Sequence, residues 1–116
     1  MNGMANTHTA TDIDPRLLQR LNCALEEIAK LCEEFHIVEL AVFGSGVRDD
    51  FRNDSDLDFL YVIEPDARVS GFTFVNFHDQ LSALVKRKVD LVSKKWMHPD
   101  FGSNVLPHAQ VIYVNR

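Results

Sequence analysis

Between Leu17 and Phe35 the apolar residues Leu17, Leu21, Leu25, Ile28, Cys32 and Phe35 recur at steps of three and four, opposite Glu26, Glu27, Lys30 and Glu33. That spacing predicts one amphipathic helix with a single buried stripe. Asp14-Pro15 marks its start, an acceptor for first-turn amides followed by a proline where a missing N–H does no harm. Ile37 to Phe43 is mostly apolar and reads as a strand, ended by Gly44-Ser45-Gly46. A short helix or turn is expected over Val47 to Asp50, then a polar loop over Arg52 to Ser55. Leu57 to Ile63 predicts a second strand, stopped by Glu64-Pro65-Asp66. Phe74, Phe77, Leu81, Leu84 and Val85 predict a helix over 72–85, and Val89 to Val92 a third strand. Beyond a tail containing Pro99 and Pro107, Val111 to Val114 is expected as a final strand, at the edge of the sheet or against a partner.

This order describes an α/β chain of the α+β type, a small mixed sheet of about four strands with two main helices on one face. The other face then stays partly open and needs a ligand, a second domain or a partner. The 116 residues fit one domain, expected over 14–116, with 1–13 as a disordered tail. A net charge of -5 argues against direct nucleic-acid binding, which demands a basic face. No apolar run approaches bilayer length and the N-terminus lacks a secretory pattern, so no membrane association and a cytoplasmic location are expected. Cys23 and Cys32 fall on opposite faces of the expected helix and read as free thiols. Histidines 8, 36, 78, 98 and 108 lack metal-ligand spacing and receive no role. Lys86-Arg87-Lys88 and Lys94-Lys95 read as solvated charge flanking a hydrophobic strand.

The candidate chemistry lies in the acids. Asp56 and Asp58 stand two apart at the start of a strand, so alternation turns both carboxylates to one side of the sheet. Asp90 sits amid Val89, Leu91 and Val92, where an unpaired acid is costly, and three convergent carboxylates suit a hard cation such as Mg²⁺. The plainer alternatives are solvated loop acids at 56 and 58 and an ion pair from Asp90 to Arg87 or Lys88. Gly44-Ser45 can aim backbone N–H groups and a hydroxyl at an anion, although such a pair alone is commonly a turn. Arg48 follows in the same loop, either as a phosphate contact or paired with Asp49 or Asp50.

Taken together, Gly44-Ser45, ten residues, Asp56-Leu57-Asp58 and a later Asp90 resemble the signature of the DNA polymerase β-like nucleotidyltransferase superfamily. The run from Ala41 to Asp58, with Lys88 to Val92, is similar to the minimal nucleotidyltransferases, known as antitoxin partners of HEPN-domain ribonucleases. The resemblance covers about Leu17 to Val114, with Gly46 standing where many minimal members carry Arg or Val. It implies the polymerase β-like fold and a transfer of AMP from ATP, or of another nucleotide from its triphosphate, to a hydroxyl acceptor on a partner protein, as the antitoxin of a HEPN toxin. Asp56 and Asp58 would ligate two Mg²⁺ ions, Asp90 would ligate the catalytic one and help activate the hydroxyl, and Gly44, Ser45 and Arg48 would bind the nucleotide. Two ions about 3.5–4 Å apart can stabilise both the attacking and the leaving oxygen. The alternative within the resemblance is a non-catalytic, nucleotide-binding antitoxin that neutralises by binding. A response-regulator phosphoacceptor domain is a further alternative that lacks the expected βα alternation. A partner protein, or a homodimer, would have to position the acceptor.

Overall fold

The computed structural model describes residues 7–8 and 13–115. The expected single N-terminal helix is two, α1 (Pro15–Leu21) and α2 (Leu25–Glu34). The break falls at Asn22, which takes a left-handed φ of 60° and donates from Nδ2 to the Val85 carbonyl at 2.9 Å. Asparagine tolerates that conformation better than most residues, and helices often end on it. The chain re-enters helix with Glu27 accepting the Ala24 N–H at 3.2 Å. The apolar stripe survives the bend, because Leu17, Leu21, Ile28, Cys32 and Phe35 are all buried. Cys23 lies in the break and Cys32 in the core, both free, and burial pushes the Cys23 thiol up to about 11.

The strands are β1 (Thr7–His8), β2 (Ile37–Phe43), β3 (Leu57–Ile63), β4 (Val89–Ser93) and β5 (Gln110–Asn115), ordered β1-β5-β2-β3-β4. Four are the expected strands, and β1 is a two-residue addition. Of the residues 1–13 expected as a tail, 1–6 and 9–12 lie outside the described residues, while Thr7 and His8 pair with Asn115 and Val114. The final strand therefore lies between β2 and β1 rather than at the edge. β3 and β4 run parallel, joined through α3 (Gly71–Val85), and the other pairings are antiparallel.

Alternation along β2 and β3 divides the sheet into two faces. Leu40, Val42, Leu57 and Phe59 meet Leu17, Leu21, Ile28, Phe77, Leu81 and Val85 in the main core under α1, α2 and α3. Ala41, Phe43 and Leu60 form a smaller core on the other face, against Val92, Met97, Val105 and Ala109. A helix that the residue pattern did not predict, α4 (Pro99–Val105), and a 3₁₀ turn at Leu106–His108 supply that partial cover. His98 caps α4 by accepting the Asp100 N–H at 3.1 Å, and Pro99 stands at its first turn. Among the described residues, no helix is long and apolar enough to cross a membrane.

Candidate active site

The site lies where β2 ends and β3 and β4 begin, on the face that α1 to α3 do not cover. Phe43 pairs with Asp58 across β2 and β3, and Asp58 pairs with Asp90 across β3 and β4. The parallel register sets two carboxylates side by side. Asp58 is half-buried, and its carboxyl is pushed up to about 6 by desolvation first, then by the adjoining Asp90 and by Asp56, with Arg48 pulling weakly the other way. Asp90 is exposed rather than enclosed by apolar neighbours, because β4 is an edge strand and its outer face is open. Among the described residues it makes no ion pair with Arg87 or Lys88. Asp56 precedes β3, and its carbonyl accepts a long contact of 3.5 Å from Ser45 Oγ. The structure thus joins Asp58 and Asp90, with Asp56 beside them. Among the described residues, no three carboxylate, imidazole or thiol groups stand close enough to hold one ion as the side chains lie.

The turn that ends β2 is a 3₁₀ turn over Gly44–Val47, earlier than the expected turn at 47–50. Gly44 has φ +69°, and a Cβ there would stand 2.5 Å from Asp58 Oδ2. Only glycine permits both the turn and the close approach of backbone to carboxylate. Gly46 is buried for a different reason, since its Cβ would meet Val42 Cγ1 at 2.7 Å and Leu57 Cδ2 at 3.0 Å. A larger residue there would press into the core below the site, which explains glycine at this position. Arg48 pairs with Asp50, Nε to Oδ1 at 3.1 Å, and is exposed at the end of the turn.

Sequence reasoning missed what holds the loop between the turn and the acids. Two guanidiniums lie over the Phe51 ring, Arg20 at 4.6 Å and Arg87 at 4.4 Å from its centroid. Arg20 donates to the carbonyls of Gly46 at 3.0 Å and Arg48 at 2.8 Å. Arg87 donates to Arg52, Asn53 and Ser55 carbonyls at 3.2, 2.8 and 3.4 Å, and through Nε to Arg20 at 3.3 Å. Arg87 is therefore a half-buried clamp and not solvated charge. The one sequence signal was a phenylalanine inside an otherwise polar loop.

Against known proteins, residues 26–116 match the family model described as polymerase beta, nucleotidyltransferase. The chain belongs to that family and is a nucleotidyltransferase. Protein adenylyltransferase MntA of Thermococcus cleftensis is 35% identical over 85 residues, 73% of this chain and 82% of that one. A solved structure given as a candidate minimal nucleotidyltransferase is 29% identical, with a TM-score of 0.64 over 86% of this chain and 97% of that one. The fold also matches a chain in the complex of tri-AMPylated Shewanella oneidensis HEPN toxin with MNT antitoxin, at 17% identity and a TM-score of 0.56, over 84% of this chain and 73% of that one.

Proposed function

We propose that this nucleotidyltransferase moves AMP from ATP onto a hydroxyl of a partner protein, a HEPN-domain toxin, and so acts as that toxin's antitoxin. The observation that carries the reading is the pair Asp58 and Asp90, abreast on an open face with Gly44 packed against Asp58. The names of the Thermococcus relative and of the Shewanella complex support the acceptor class.

Asp56, Asp58 and Asp90 are the residues that would hold Mg²⁺, two ions in this reading. Their chemistry fits, since Asp90 and Asp56 both push the Asp58 carboxyl up and, among the described residues, Arg48 opposes them only weakly. When bound, the ions supply charge neutralisation at the α-phosphate and its leaving oxygen. Backbone N–H groups of the Gly44–Val47 turn and the Ser45 hydroxyl orient the phosphates, and Arg48 adds a guanidinium at the turn's end. The acceptor oxygen attacks the α-phosphorus, the bond to the bridging oxygen breaks, and pyrophosphate leaves. Asp90, exposed on the edge strand beside Asp58, accepts the hydroxyl proton in this reading.

The test is label transfer from α-labelled ATP with Mg²⁺ in a lysate of the source cells, run beside Asp58→Asn. A labelled protein band that depends on Asp58 is expected, and its mobility identifies the acceptor. Neutralisation of the toxin that persists undiminished in Asp58→Asn would replace catalysis by binding.

A further inference from the structure

A cavity of about 270 Å³ lies beside the phosphate turn and has two walls. One is the turn itself, through Gly44, Val47 and Arg48. The other comes from the C-terminal half of the chain, through Asn104 and Val105 of α4 and His108 of the 3₁₀ turn that follows. The chain holds 17 acidic residues against 12 basic, yet among the described residues no carboxylate lines this cavity, and its ionisable side chains are Arg48 and His108. An anion entering it meets the Arg48 guanidinium, whose Nε is held by Asp50 at 3.1 Å while its terminal N–H groups make no hydrogen bond among the described residues.

The second wall is anchored. The Ala109 N–H is shared between the Val105 and Leu106 carbonyls at 3.1 and 3.3 Å, which holds the backbone around His108 just before β5 begins. Asn104 Nδ2 donates to the Asp100 carbonyl at 3.1 Å, fixing the amide and leaving its second N–H. Phe101 packs edge-on against Phe43, the last residue of β2, with centroids 5.9 Å apart, so α4 is tied to the strand that carries the phosphate turn. Gly44 belongs both to the cavity and to the contact with Asp58. A nucleotide with its α-phosphate over Asp58 and Asp90 therefore has the Arg48 side of Gly44 as the route for one of its two arms. Among the described residues no Phe, Tyr or Trp lines the cavity to stack a base, whereas an arginine, an imidazole and an amide suit phosphate oxygens.

We propose that His108, assisted by Asn104, forms a second wall of the phosphate site and grips the β- and γ-phosphates of the bound nucleoside triphosphate opposite Arg48. The placement of the α-phosphate rests on the nucleotidyltransferase reading above. The anion pocket itself rests on its lining alone.

Calorimetry of the full chain with inorganic tripolyphosphate, ATP and adenosine tests this on wild type, His108→Ala and His108→Gln. Position 108 is exposed, so both variants should fold, and an unchanged thermal midpoint checks that. Loss of one charge-assisted contact should weaken tripolyphosphate and ATP about 5–10-fold in His108→Ala and leave adenosine unchanged, with partial recovery in His108→Gln. Equal tripolyphosphate affinity in wild type and His108→Ala overturns the proposal and leaves the transfer reading intact. A loss confined to adenosine assigns the pocket to the base and also overturns it. His108-dependent tripolyphosphate binding in a chain that transfers no label sustains the pocket and sinks the assigned activity.

Discussion

Replacing Asp58 by asparagine should make the metal-free protein more stable at neutral pH while removing its activity. The carboxyl titrates at about 6 in the folded chain against an ordinary value of 3.8. A raised folded value means that the folded state holds the proton more tightly than the unfolded state. The contribution to stability is therefore fully present below pH 3.8 and is lost as pH rises through about 6. The gap corresponds to about 3 kcal/mol if taken whole, and solvent screening at a half-buried carboxylate leaves about 1 kcal/mol. Asp58→Asn lacks the charge and escapes that loss. In EDTA at pH 7.5 its thermal midpoint should lie about 4 °C above wild type, and the difference should close towards pH 4. Scanning calorimetry of both proteins across that range is the assay. An Asp58→Asn midpoint equal to or below wild type at pH 7.5 would refute the argument that the carboxylates at this site oppose folding.

Gly44→Ala should abolish label transfer, because the left-handed φ of 69° costs about 1–2 kcal/mol with a Cβ and the new methyl displaces Asp58; full activity in this variant would mean that Asp58 does not hold its observed place. Gly46→Ala should act on stability first, losing about 1–3 kcal/mol in urea unfolding from contact with Val42 and Leu57. Phe51→Ala removes both cation–π contacts, should cost about 1–2 kcal/mol, and should lower kcat more than it raises KM by loosening the loop ahead of Asp56. A loss of stability with unaltered kcat would limit the clamp to folding.

The parts of the fold that alternation or helical periodicity governs were legible in the sequence. β2 and β3 fall at the expected residues, α3 begins one residue early, and the main core contains the expected stripe residues Leu17, Leu21, Ile28, Cys32 and Phe35. The acids were legible because a charged residue among apolar strand positions breaks a strong pattern. Their mutual arrangement was only half legible. Period two places residues 56 and 58 on one side when both lie in a strand, but β3 starts at Leu57, and so Asp58 is aligned with Asp90 while Asp56 lies outside the ladder.

What stayed hidden depends on contacts between distant segments. The break at Asn22 is fixed by the Val85 carbonyl 63 residues away, and nothing in the spacing from Leu17 to Phe35 reveals it. Arg20, Phe51 and Arg87 lie on three separate segments, and each alone reads as surface or loop. Helix α4 is short, contains Gly102 and buries only that glycine fully, so it carries no periodic stripe. Gly102 is nonetheless determined by packing, since a Cβ there would come within 3.2 Å of Met97 Sδ. These hidden elements converge on the same loop and turn. The arginine clamp holds carbonyls of the segment from Gly46 to Ser55, and α4 with His108 shares a cavity with Gly44, Val47 and Arg48. The acids stand out from their strands in the sequence, but the turn at Gly44–Val47 and the loop after it are held by residues whose patterns identify them only as charge or loop.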